Sequence, residues 1–439
     1  MKYVRRRLEA LLVVKSLKLP RIKMTFPPFP QGNRRFDEVN LNKFKHQPNM
    51  KKTITLSLIA LVIMGIMSAC CDKKQETPEP PKAVNVIYMI GDGMALPQVY
   101  AAMLASREEM TFSQFPYIGV VDTHSASNDI TDSAAGGTAL ASDHKTKNAM
   151  IGMNPDSIPV KTVLEALAEQ GKETGVVVSC YVTHATPAAF YAKVPHRKHY
   201  EDIAVQMAEN PYLNLIIGGG MKHFNQRKDS INLVERMENE LGWKVYDTFA
   251  DIDVTCKKYA VMANDDHMPK AAERGDFLPR AVKTALQSLD SAQNGFFLMV
   301  EGSQIDFACH AGDSTWMMDE MMDFDYAVKV ALDYAKEKGN TLVVVTADHE
   351  TGGLTLPDPQ GHYTNVTFNY STGSHTCLPV MVYAYGPGAE QFTGWMQNCD
   401  LKAKIMNACG YENITDSIPE HNGPKIQAVK ANLDTKPEK

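Results

Sequence analysis

The chain is predicted to fold as an α/β protein, a three-layer sandwich in which a large, central, mostly parallel sheet is covered by helices. Two observations carry that expectation. From about residue 83, apolar β-branched runs alternate with helical patterns, the order that builds parallel sheets. Several runs are apolar throughout, as strands buried on both faces are. A third observation bears on function: metal-ligand residue types recur just after these runs, where α/β sheets place their sites.

The elements follow in order. Residues 1–49 are basic and lack helical or strand periodicity, and they read as a non-native or disordered extension, because Met50 restarts a complete export signal. That signal runs over 50–70. A basic start at 50–53 precedes an apolar run at 54–67, which is short for a bilayer-spanning helix, and then Ser68, Ala69 and Cys70. The pattern resembles a bacterial lipoprotein signal, which implies lipid on Cys70; an uncleaved signal anchor is the alternative. The stretch 71–82 is rich in charge and proline and reads as a tether. A catalytic domain is expected over 83–415, with strands at 84–90, 175–178, 213–217, 296–300, 341–346 and 380–385. Helices are expected at 160–170 and 321–337. Residues 201–279 are less regular and read as an elaboration of the same domain, and 416–439 as a polar tail.

Composition narrows the function. Of 45 basic and 51 acidic residues, 14 and 3 lie in residues 1–69, leaving residues 70–439 with 31 and 48, a net charge of −17. A body that acidic offers no nucleic-acid-binding surface, which needs a surplus of Lys and Arg. An anionic substrate would instead be drawn by a local positive source such as bound metal ions. Apart from Cys70 and Cys71, the cysteines are Cys180, Cys256, Cys309, Cys377, Cys399 and Cys409, without CxxC spacing. Cys399 and Cys409 are near enough in sequence for a disulfide. Cys309, beside His310, reads as a small buried hydrophobe and not as a ligand.

Three ligand clusters follow strands: Asp92 between glycines after 84–90, Glu301, Asp306 and His310 after 296–300, and Asp348-His349 after 341–346. Singly, each has a plain reading as a turn or loop; after separate strands, they point to one metal centre. Asp306 and His310 are spaced i, i+4, so one helical turn aims both at one ion. Carboxylate and imidazole together suit zinc, and an all-oxygen set suits magnesium. Two zinc ions would clamp the attacking and leaving oxygens of a phosphoryl transfer. Ser133 is followed by small residues that let a helix begin there, and a helix amino terminus favours an anionic oxygen. Asp132 or Ser133 could equally be no more than that helix's cap.

The segments GDGM (91–94), TDSAAGGTALAS (131–142), THATPAAFYAKVPHR (183–197), EGSQIDFACH (301–310), TADHETGG (346–353) and GSHT (373–376) resemble, in order and spacing, those of the alkaline phosphatase family. The resemblance spans 84–387. It implies a phosphate monoester hydrolase with Ser133 as nucleophile, passing through a phosphoserine. It further implies Asp306, His310 and His375 on one Zn2+, and Asp92, Asp348 and His349 on a second. A third ion, usually Mg2+, would be held by Asp92, Thr186 and Glu301. Arg197 matches the phosphate-clamping arginine, with Asp132 placed to orient it. His184 stands where members carry aspartate or histidine, and so borders the third ion. Phe307 stands where many carry lysine, histidine or tryptophan, and it adds no positive charge. The expected substrates are small-molecule phosphate monoesters, the expected location periplasmic or lipid-anchored, and the oligomeric state, a homodimer included, stays open.

Other features read as structural. Gly218-Gly219-Gly220 lacks the Lys-Ser/Thr of a P-loop and reads as a turn. Met317, Met318, Met321 and Met322 are spaced for helix packing. His124, His196, His199 and His362 are solvated or structural, or else line the site mouth. The alternatives are a related phosphodiesterase or sulfatase, a phosphomutase, and a lipoprotein that binds phosphate or metal without turnover. No Cys/Ser-x-Pro-x-Arg sulfatase signature occurs.

Overall fold

The computed structural model describes residues 81–106, 109–357 and 366–411. The chain divides after Thr77, and every described residue lies in the unit from Pro78 to Lys439. The basic extension, the signal with Cys70, most of the tether, His362 and the polar tail lie outside the described residues.

The strands are β1 (Asn85–Gly91), β2 (Tyr117–Asp122), β3 (Glu173–Tyr181), β4 (Leu215–Gly219), β5 (Lys244–Tyr246), β6 (Tyr259–Met262), β7 (Phe296–Gly302) and β8 (Thr341–Thr346). Short pairs β9 (Glu350–Thr351), β10 (Leu354–Thr355), β11 (Asn369–Tyr370) and β12 (His375–Thr376) follow, then β13 (Val380–Tyr385) and β14 (Gly394–Gln397). Ten of them form one sheet in the order β14-β2-β13-β8-β1-β7-β3-β4-β6-β5. β13 runs against both its neighbours, and every other pairing in that sheet is parallel. The predicted class and all six predicted strands are present.

The central strands are buried along their whole length, as in NVIYMIG of β1 and TLVVVT of β8. Burying each such Ile or Val is worth about 1.5–3 kcal/mol, which is what holds the sheet between its helices. Within residues 201–279 the expected strand at 213–217 is β4, and β5 and β6 lie beyond it at one end of the sheet. β2 escaped the sequence reading because Gly119 interrupts its apolar run. A Cβ there would lie 2.4 Å from the Phe392 carbonyl oxygen, so the glycine permits a close backbone approach.

The longest described helix, Ser314–Lys338, begins where the Asp313 side chain accepts from Trp316 N and ends at Gly339 in the left-handed region. Met317 and Met321 are fully buried on it, while Met318 and Met322 are only partly covered. The six described cysteines form no disulfide; Cys309 is fully buried, its Sγ 3.9 Å from Gln98 Nε2.

Register positions the site. Ile90 lies opposite Glu301 on one side and Thr346 on the other. The chain therefore leaves β1, β7 and β8 at one level, and Asp92, the Glu301–His310 segment and Asp348-His349 emerge side by side.

Candidate active site and metal centres

Ser133 is the first residue of helix Ser133–Ala141, and Asp132 caps it, Oδ1 accepting from Ala135 N at 3.0 Å. Of the two residues that could cap this helix, Asp132 does so and leaves the Ser133 hydroxyl free of that task. The other oxygen of Asp132 accepts from Ala149 N at 3.0 Å and from Arg197 Nη1 at 3.1 Å. Arg197 Nη2 reaches His184 Nε2 at 3.3 Å. Burial lowers the basicity of Arg197, but Asp132 outweighs it and holds the guanidinium above its usual range. Gly136 lets the helix approach the end of β8, since a Cβ there would lie 3.0 Å from Asp348 O.

Two groups of ligand-type side chains lie around Ser133. Asp92, Asp348 and His349 form the inner group, all with no exposed surface. His349 Nε2 lies 3.4 Å from Asp92 Oδ1, 3.2 Å from Asp348 Oδ2 and 3.2 Å from Ser133 Oγ. Asp306, His310 and His375 form the outer group, in which His310 is exposed. Asp306 Oδ1 lies 3.3 Å from His310 Nε2 and 3.5 Å from His375 Nε2. The ring of His375 stacks on that of His349 at 3.6 Å and joins the two groups.

The ring protons can be placed. His310 Nδ1 faces Gly373 O at 2.8 Å and His375 Nδ1 faces Thr131 O at 2.9 Å. A carbonyl only accepts, so both Nδ1 atoms donate and both Nε2 atoms present lone pairs, 3.1 Å apart. His349 follows suit. Thr351 Oγ1 donates to Asp306 Oδ1 at 2.5 Å and so accepts from His349 Nδ1 at 3.2 Å. The His349 lone pair therefore faces two carboxylates. Lone pairs converging in this way repel unless a cation lies among them, and a backbone carbonyl or hydroxyl behind the ring is the usual support of a metal-binding histidine.

Unpartnered atoms agree. Asp92 Oδ1 and Oδ2, Asp348 Oδ2, Glu301 Oε1, Thr186 Oγ1 and His184 Nδ1 are buried without a hydrogen bond, which native interiors rarely tolerate. Burial, then the charges of Asp348, Asp306 and Glu301, pushes the Asp92 carboxyl well up. Burial pushes Glu301 up to about 8. Burial also opposes the ionisation of Asp348, and a second proton on the His349 ring, standing in for a cation, would outweigh it and hold that carboxyl low. Burial opposes the ionisation of Asp306 too, and a second proton on His375 would likewise outweigh it. The donor set therefore fits divalent cations.

A third group comprises Glu301 and His184 together with Cys180, a residue the sequence reading passed over. Thr186 starts from the same loop, in the four-residue helix Ala185–Ala188. Thr351 was missed as well; its signal was its place two residues after His349. Of the remaining histidines, His124 pairs with Asp122 at 2.9 Å, and His196 and His199 have ring centroids 6.1 Å apart. Phe307 packs edge-on against His184 and His267.

A serine heading a helix, an arginine near it and clusters of ligand-type side chains at the ends of parallel strands suit an α/β metalloenzyme of phosphoryl transfer. Comparison with known proteins narrows that class. Residues 83–371 match the family described as alkaline phosphatase, and the chain belongs to that family. It is 31% identical to alkaline phosphatase 4 of Bacillus subtilis, over 80% of this chain and 95% of the relative. It is 37% identical to the alkaline phosphatase of the Antarctic bacterium TAB5, covering 76% of this chain and 100% of that structure with a TM-score of 0.73. A histidine-to-aspartate variant of the TAB5 enzyme, with magnesium bound in its M3 site, is 38% identical over the same shares with a TM-score of 0.72. The protein is a phosphate monoester hydrolase with metal cofactors.

Proposed function

We propose that Ser133 is the nucleophile, and that the inner and outer groups each hold a zinc ion beside it. The observation that carries this is Ser133 Oγ itself, at the head of its helix and 3.2 Å from His349 Nε2. Glu301, Thr186, Asp92 and His184 would hold a third ion, for which the oxygen donors taken alone suit magnesium. Bound there, the cations would supply charge neutralisation and lower the pKa of a hydroxyl or water.

The chain's own groups do the rest. Arg197, steadied by Asp132, grips two phosphoryl oxygens with its planar fork. Ser133 Oγ gives up its proton and forms a bond to phosphorus as the bond to the leaving oxygen breaks; that oxygen takes up a proton from solvent, and the alcohol departs on the side where His310 is exposed. Water entering by that side then attacks the phosphoserine, the Ser133 O–P bond breaks, and inorganic phosphate departs. The helix amino terminus favours the negative charge on Ser133 throughout.

The test is hydrolysis of an aryl phosphate, a diester and a sulfate, with and without chelator. Monoesterase activity should be lost on chelation and in Ser133→Ala. Full activity in that variant, or indifference to chelator, would overturn the assignment.

The segment 50–70 supports export with lipid on Cys70, and 83–415 as the catalytic domain. Incorporation of labelled fatty acid in a bacterial host should disappear in Cys70→Ala; unchanged labelling would refute the anchor.

A further inference from the structure

β3 continues past the point where Val178 lies opposite Glu301 and carries Cys180 to the floor of the site. Cys180 Sγ lies 3.5 Å from Glu301 Oε2 and 3.2 Å from the Tyr181 carbonyl oxygen. A ring nitrogen of His184, an oxygen of Glu301 and Cys180 Sγ all fall within 4.8 Å of one another. None of the three residues is more than 8% exposed. Independently of the thiol, Glu301 Oε1 and Thr186 Oγ1 are buried there without partners. Unsatisfied oxygens buried beside the thiol call for a ligand.

We propose that Cys180 is itself a ligand of the third cation, so that this position takes a zinc-like ion in preference to magnesium. The proposal rests on the three-cation reading above. Magnesium demands oxygen donors in near-ideal octahedral geometry and dehydrates reluctantly. A thiolate is a softer donor that suits zinc and cobalt. On binding, the S–H bond breaks, a sulfur–metal bond forms and the proton leaves to solvent. A Cys180 that only fills space, its thiol donating to the Tyr181 carbonyl, would make no contact with the ion.

Metal-free protein titrated with Co2+ in a large excess of Mg2+ separates the two, with bound ions counted by elemental analysis and near-ultraviolet absorption recorded. Three cobalt ions should bind per chain, with a thiolate-to-cobalt charge-transfer band arising from one of them. The band should vanish in Cys180→Ser, where preference for cobalt over magnesium at that position falls about ten-fold or more. It should persist when Cys309→Ala and Cys377→Ser remove the other thiols nearest the site in sequence. Should Cys180→Ser not fold, the band in that double variant decides. Three bound cobalt ions without the band overturn the thiolate ligand and leave the three-cation reading standing. Two cobalt ions with one magnesium do the same, and fewer than three bound ions in all overturn both.

Discussion

Asp132 performs two tasks with two oxygens: one caps the helix of Ser133, and the other holds Arg197. Asp132→Ala should therefore lower stability by about 1 kcal/mol through the lost cap. It should also raise KM for an aryl phosphate about ten-fold, because the arginine fork is no longer aimed. Denaturant unfolding and steady-state kinetics read the two effects separately. Phe307 lies against His184 and brings no charge. Phe307→Lys should tighten inhibition by inorganic phosphate about ten-fold, the effect of one favourable charge contact of about 1.4 kcal/mol. An unchanged inhibition constant would show that Phe307 does not border the phosphate. Gly136 faces the Asp348 backbone with no room for a side chain. Gly136→Val should cost about 1–3 kcal/mol of stability and weaken metal retention at the inner group.

Among the helices, Ser314–Lys338 carries a buried charge cluster that titrates. Arg274 Nη2 lies 2.6 Å from both Glu320 Oε2 and Asp323 Oδ2, with Arg274 and Glu320 side chains 1% exposed. Burial pushes the Asp323 carboxyl up to about 6, and Arg274 only partly offsets that. In the unfolded chain the same group titrates near 3.9. Between those values the folded state holds the proton more tightly, so stability due to Asp323 rises as pH falls from about 6 to 4 and is lost on the way back. Wild type should gain roughly 2–3 kcal/mol relative to Asp323→Asn between pH 7 and pH 4, measured by denaturant unfolding. A constant difference would mean that Asp323 titrates normally.

What was legible in the sequence follows from the same elements. Strands buried on both faces announce themselves as apolar runs, and ligands set at the strand ends or at i, i+4 fall into view with them. β2 was hidden by Gly119, and β14 by its four-residue length and by Trp395, 67% exposed on the edge of the sheet. Cys180 was hidden because a thiol at the end of an apolar strand looks like core. Its proximity to Glu301 is a matter of register, which one strand alone does not encode.

For the molecule as a whole, the clustered carboxylates make the metal-free state costly. Chelation should lower the melting temperature by roughly 5–10 °C if each site is filled well above its Kd. Metal-free protein should also lose stability as pH rises toward 8, because Glu301, raised to about 8 by burial, must then give up its proton inside the fold. The gap between loaded and stripped protein should widen with pH, and scanning calorimetry at pH 6 and pH 9 checks it. No helix among the described residues is long and apolar enough to cross a membrane.

The candidate ligand residues run from Asp92 to His375 on several separate stretches of chain. A ribosome must therefore release almost the entire catalytic unit before the outer group can close. Nascent chains halted short of His375 would hold an incomplete centre, and metal capture becomes a late event in the life of each molecule, a seal on a finished fold and not the seed from which folding starts.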